Sequence, residues 1–125
     1  MDLFEYATIR VVPRVERGEF INVGVVLFCK NQKFLRTRII LNPVRLAALF
    51  PATDAEVVAR NLQSFENICA GIGSKSPIAV LDDSSRFRWL TARRSTVIQA
   101  SEVHPGLCEN AEDTLNRLFE HLVLF

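Results

Sequence analysis

Between Arg86 and Arg94 the sequence places four arginines in nine residues, with Phe87 and Trp89 among them, no acid, and Ser95 directly after. A guanidinium presents a rigid fork of N–H donors that matches phosphate or carboxylate, and an indole offers a stacking platform. Arg86, Trp89, Arg94 and Ser95 are therefore candidates for holding a phosphate, a nucleotide or a single nucleic-acid strand. The plain structural alternative puts Phe87, Trp89 and Leu90 in the core and pairs the arginines with the acidic C-terminal segment. That segment carries Glu102, Glu109, Glu112, Asp113 and Glu120 against a single Arg117.

A second set is Arg10, Asn22 and Arg38, with Glu16 nearby in a charged connection. Such groups inside strongly apolar strands are costly unless paired. Either they form a buried network, with a salt bridge from Arg10 or Arg38 to Glu16, or they line a site. In the second case Gly24 would let a ligand or another backbone approach closely. His104 lies in Ser101-Glu102-Val103-His104-Pro105-Gly106, expected as a loop, and is exposed enough there for acid–base work. His121, near a helix C-terminus, suits the dipole and implies no function.

Other chemistries find little support. His104 and Cys108 are four apart with proline and glycine between them, and no second pair has ligand spacing, so no metal is expected. Neither Ser95 nor Cys108 stands in a nucleophile turn, Cys29 and Cys69 read as core residues, and there is no Gly-rich phosphate loop. No cofactor is expected.

The elements that must position these residues follow from periodicity. Phe4 to Val12 alternates as a strand, with Tyr6, Thr8 and Arg10 on one face and Ala7, Ile9 and Val11 on the other, and Pro13 ends it. Phe20 to Cys29 is a long valine-rich run that suits a central strand buried on both faces. A hairpin at Asn31-Gln32 leads to a third strand, Phe34 to Leu41. A three-residue turn or a bulge would align Val23, Val25 and Leu27 with the apolar side of that strand. Asn22, Gly24, Arg36 and Arg38 would then share the opposite face. A two-residue turn would set arginine opposite valine, so the first register is preferred.

Asn42-Pro43 opens a short helix that runs to about Phe50. Thr53-Asp54-Ala55-Glu56 fits a capping box for a second helix with Val58, Leu62, Phe65, Cys69 and Ile72 as its core stripe, ended by Gly71 or Gly73. Ile78 to Leu81 suggests a brief strand, Asp82 to Ser85 a turn or helix cap, and Ser95 to Ser101 another strand. Asn110 caps a last helix whose buried face is Leu115, Leu118, Phe119 and Leu122. The expected class is α+β, an antiparallel or mixed sheet of four to five strands with three helices packed mainly on one face.

The 125 residues suit a single domain, 1–125, with one hydrophobic core, and the 49% apolar fraction allows it to fold alone. The net charge of +1 gives no electrostatic argument for nucleic acid or a membrane surface. The longest apolar run, Val23 to Cys29, is too short to span a bilayer, and the first residues lack the pattern of a signal peptide. Three well-separated cysteines point to a reducing, cytosolic setting. Twelve of the 15 cationic side chains are arginine, which suits anion recognition but also arises from a GC-rich genome.

The stretch from Tyr6 through Arg17, then Glu19 to Val25, resembles the bacterial domain-of-unknown-function family 3037. So does Arg86-Phe87-Arg88-Trp89-Leu90-Thr91-Ala92, running through Arg94 to Gln99 and on to His104, Gly106 and Cys108. The resemblance implies a small standalone bacterial protein, often encoded beside a HipA-like kinase, and carries no catalytic residues with it. Polar positions that recur in the family fall here on Arg10, Glu16, Asn22, Arg86, Arg94, Ser95, Gln99 and His104. The leading expectation is a non-enzymatic binding or adaptor domain working with a protein partner, plausibly a HipA-like kinase. The alternative is a small enzyme whose phosphorylated or carboxylated substrate is clamped by Arg10, Arg38 and Arg94, with Glu16 or His104 as acid–base. That enzyme needs the two sequence blocks to meet in one pocket. Nucleic-acid binding comes third.

Overall fold

Alternation from Phe4 onward dictates a strand with two different faces, and the computed structural model, which describes residues 1–73 and 76–124, contains it as β1 (Asp2–Val11). A 3-10 turn at Val15–Arg17 carries the chain to β2 (Ile21–Cys29) and then β3 (Phe34–Ile39). Two short strands, β4 (Ile98–Ala100) and β5 (His104–Cys108), return to the other side of β1. The sheet has five strands in the order β3-β2-β1-β4, with β5 also pairing β1, and every pairing is antiparallel.

Every residue of β2 from Val23 to Cys29 is buried, so both faces of the sheet are covered. On one face lie α1 (Pro43–Leu49), α2 (Ala55–Ala70) and α3 (Asp83–Thr91). Leu46, Val58, Leu62, Phe65, Cys69, Phe87 and Leu90 of these helices meet Ala7, Ile9, Val11, Val26 and Phe28 in one apolar cluster. On the other face α4 (Ala111–Phe119) continues into a π-helical turn, Glu120–Leu124. There Leu115, Phe119 and Val123 cover Phe4, Val25, Leu27 and Cys29. The class is α+β with an antiparallel sheet, as expected, and the helices number four among the described residues.

The helix starts follow the sequence closely. Asn42 accepts from the Val44 and Arg45 amides with Pro43 at the first position, and Asn110 accepts from the Asp113 amide. At α2 the cap is Asp54 and not Thr53, since the Asp54 carboxylate already takes the Glu56 and Val57 amides. Gly71 ends α2 at φ 72°, so Ile72 falls outside the helix and is exposed. Two segments differ from expectation. Ile78 to Val80 is a turn, not a strand, and His104 stands in β5, not in a loop.

The β2–β3 register also differs. Val25 faces Arg38 and Leu27 faces Arg36, the arrangement with arginine opposite an apolar residue. The loop between the paired Cys29 and Phe34 has four residues, closed by the Lys33 amide on the Lys30 carbonyl with Lys33 at φ 51°, and an even count sets this parity. The arginines tolerate it because α4 covers that face. The Arg38 guanidinium lies 4.6 Å from the centroid of the Phe119 ring and donates to Asn116 Oδ1 at 2.9 Å, while Arg36 reaches Glu112. Their stems cover apolar surface and their heads stay wet. A bulge between Ile9 and Arg10, with Val23 as the extra residue on β2, separates Asn22 from Gly24, which therefore do not share a face.

Gly24 makes room for backbone. A Cβ there would sit 2.7 Å from the Arg38 carbonyl oxygen and 2.7 Å from Cγ1 of Ile39. Gly24→Ala is expected to cost about 1–3 kcal/mol by forcing β2 from β3. A urea-unfolding midpoint equal to that of the unsubstituted chain would contradict this.

Candidate functional site

Pairing of β1 with β4 brings residues far apart in sequence to one place, since Arg10 stands directly opposite Gln99. Just beyond, the chain leaving α3 crosses the same end of the sheet. The result is a cavity of about 630 Å³ lined by Arg10 of β1, Val12, Val15, Gly18 and Phe20 of the following connection, Thr91 at the end of α3, Arg93, Arg94 and Ser95 after it, and Gln99 to Val103. Three guanidinium groups and a single carboxylate, Glu102, line it.

Two of these arginines are braced by aromatic rings. The Arg10 guanidinium lies 4.1 Å from the Phe20 ring centroid, and its Nε is buried with no hydrogen-bond partner among the described residues. The Arg94 guanidinium lies 4.0 Å from the Trp89 ring centroid, and its Nη2 donates to the Trp89 carbonyl. Partial burial pulls the Arg94 pKa below the ordinary arginine value, from a starting point so high that the group keeps its charge. Stacking fixes the plane of each fork and leaves N–H donors for an anion. Arg93 is exposed at the rim. Gln99 is held by its own turn, its Nε2 donating to the Thr96 carbonyl. The Ser101 hydroxyl, by contrast, is occupied by the Thr8 amide and the Glu102 carbonyl.

Of the residues singled out from sequence, Arg10, Arg94, Ser95 and Gln99 share this cavity. Trp89 adjoins it as the platform under Arg94 and lines a neighbouring apolar groove with Phe65, Ile68 and Ile98. The others lie elsewhere. Arg38 is held against α4. Asn22 donates to the Leu122 carbonyl, which ties the π-helical turn to β2. Arg86 donates to the Leu81 carbonyl and packs beside Gly71 at the end of α2. Glu16 pairs with Arg14 and not with Arg10 or Arg38, and that hydrogen bond holds its carboxyl below the usual range. His104 faces its cross-strand partner Tyr6, ring centroids 5.3 Å apart.

Among the described residues no ion pair joins the arginine cluster to the acidic C-terminal segment, although Glu102 of that segment lines the same cavity as Arg93 and Arg94. Arg88 makes a two-pronged pair with Glu5 of β1, through Nη1 at 3.0 Å and Nη2 at 2.7 Å. The thiols are set apart from this chemistry. Cys69 is buried, which pushes its pKa up to about 12, and Cys29 and Cys108 are buried at the far end of the sheet. No group of three or more potential metal ligands comes together among the described residues, and none of their helices is long and apolar enough to cross a membrane.

Sequence reasoning passed over Phe20, Arg93 and Glu102 as site residues. Arg93 was visible inside the arginine cluster. Phe20 and Glu102 carry no local signal, because the β1–β2 pairing brings Phe20 to Arg10 and the β1–β4 pairing brings Glu102 to the same cavity.

A sequence model of the family described as "Protein of unknown function (DUF3037)" matches residues 6–123, and the chain belongs to that family. No curated protein and no solved structure matches it.

Trp89 is the only tryptophan, so its fluorescence reports directly on the Arg94 stack. Arg94→Lys keeps the charge but loses the planar fork. Acrylamide quenching of Trp89 is expected to rise, while stability falls by no more than about 1 kcal/mol. An unchanged quenching constant would mean that the guanidinium does not shield the indole in solution.

Proposed function

We propose that this protein is a binding domain whose ligand presents a phosphate or carboxylate group to the cavity of Arg10, Arg93 and Arg94, and that it acts with a partner protein. The observation that carries this is the meeting of guanidinium groups from two distant sequence segments in one cavity with a single carboxylate. Two of the forks are pre-oriented by aromatic rings, which lowers the ordering cost of gripping an anion. Glu102 at the same cavity gives an acceptor for a hydroxyl or ammonium group beside that anion.

A catalytic role has weaker support. Glu16 is engaged by Arg14 and His104 faces Tyr6, and neither lines the cavity. Arg38, the third arm of the expected clamp, lies against α4 and does not line the cavity. The HipA-like kinase neighbourhood that the family resemblance implies would favour a protein as the bearer of the anionic group. Nucleic-acid binding has the least support, given a net charge of +1.

Titration calorimetry with inorganic phosphate and with pyrophosphate tests the site. Binding of at least one is expected, weakened roughly tenfold or more by Arg10→Met and by Arg94→Met, each variant checked for folding. Arg60→Met, an exposed change on α2, is the control and is expected to leave affinity unchanged. Equal affinity in all four proteins, or binding of neither anion, would refute the assignment.

A further inference from the structure

The sheet ends at β3, and that edge is open. The Ile40 amide bonds to the Val23 carbonyl, so the alternation of an antiparallel ladder turns residues 34, 36 and 38 towards β2. The N–H and C=O groups of Leu35, Thr37 and Ile39 therefore point outward. Among the described residues no hydrogen bond to them is formed. A groove of about 590 Å³ runs along this edge, walled by β3 and by Glu66, Cys69 and Ala70 of α2. The edge has six residues without proline, and the bulge lies in β2, so of the usual devices that blunt an exposed edge β3 keeps only charge, as Arg36 and Arg38.

We propose that the β3 edge is a docking strand for an extended segment of another protein that carries acidic side chains at alternate positions. Charge selects this occupant. A strand laid along the edge would place side chains directly opposite Arg36 and Arg38 on the α4 face. Arg38 is engaged by an amide and a ring, with no carboxylate against it among the described residues, and the Arg36–Glu112 pair is long at 3.5 Å and exposed. Both guanidinium groups are thus open to carboxylates from an incoming strand. On the α2 face the neighbours would be Leu35, Thr37, Ile39 and the wall of the groove, with Glu66 at its rim. That side favours apolar residues and disfavours acids, which gives the alternation.

The same geometry argues against a second copy of this chain. Two-fold antiparallel pairing through Thr37 would set Arg36 opposite Arg38 of the other copy, twice per dimer, and like charges directly opposite are destabilising. The edge is distant from the arginine cavity, sharing none of its lining residues, so the two surfaces can be tested separately.

The probes are two blocked hexapeptides, one alternating glutamate with valine and one alternating lysine with valine. Each is titrated into the full chain and followed by backbone amide NMR. The glutamate peptide is expected to bind, to shift the Leu35, Thr37 and Ile39 amides and to slow their hydrogen exchange. The lysine peptide is expected to bind at least roughly tenfold more weakly. Thr37→Pro removes the central outward donor without touching the β2–β3 ladder and is expected to abolish binding. Any of three results would overturn the proposal: no binding of the glutamate peptide at millimolar concentration, equal binding of the lysine peptide, or amide shifts that map away from β3. Concentration-dependent protection of the same amides without peptide would overturn it too, by assigning the edge to a second copy.

Discussion

A strand that is apolar on both of its faces can be buried only between two layers, and β2 is such a strand from Val23 to Cys29. From this constraint most of the structure follows. α1, α2 and α3 supply one layer and α4 with its π-helical turn supplies the other. The second layer needs anchoring, because it rests on a strip only as wide as β2 and its neighbours. Asn22 and Arg45 provide the anchor by donating to the Leu122 and Val123 carbonyls, the carbonyls at the end of that turn. A polar residue in an apolar strand thus serves the packing of the face opposite the main core.

The two-layer arrangement also sorts the arginines. Those on β3 lie under α4 and lend it their stems, and Arg88 of α3 is taken by Glu5. Arg10 and Arg94 differ because they sit at the end of the sheet, past the reach of α4, where each stacks on an aromatic ring, forms no ion pair among the described residues and lines one shared cavity. An arginine with its face covered and its edge open is suited to an incoming anion. The sorting is therefore by position along the strand as much as by residue type.

Much of this was legible in the sequence because it depends on neighbours along the chain. Alternation located β1, continuous apolarity located β2, and Asn42-Pro43 and Asn110 fixed their helices within a residue. What failed depended on distant partners or on the length of a turn. A four-residue hairpin loop, one residue longer than the preferred reading, reversed which side chains of β3 face α4. β5 was hidden by Pro105 and Gly106, residues that normally end strands. Pro105 is accepted because its missing N–H would point away from β1, and Gly106 because the Phe4 ring fills the place of its side chain, 2.5 Å from where a Cβ would stand. α3 was obscured because arginine and aromatic residues alternate along it, a pattern closer to a strand than to a helix. The convergence of Arg10 with Arg94 was expected only as a requirement of the enzyme alternative, and its partners Phe20 and Glu102 were invisible without the β1–β2 and β1–β4 registers.

The position of β1 has a consequence for how the chain reaches this state. β1 is the first strand in sequence, yet it lies inside the sheet, and the strands on its second side come from residues 98–108. The Thr8 amide finds its acceptor, Ser101, 93 residues later. During synthesis the β1–β2–β3 meander can assemble early, but one edge of β1 stays open until residues 98–108 have left the ribosome. Contacts of such long sequence separation slow folding and prolong the exposure of an apolar edge. The arginine cavity, built across that late seam, comes into being only when the sheet closes.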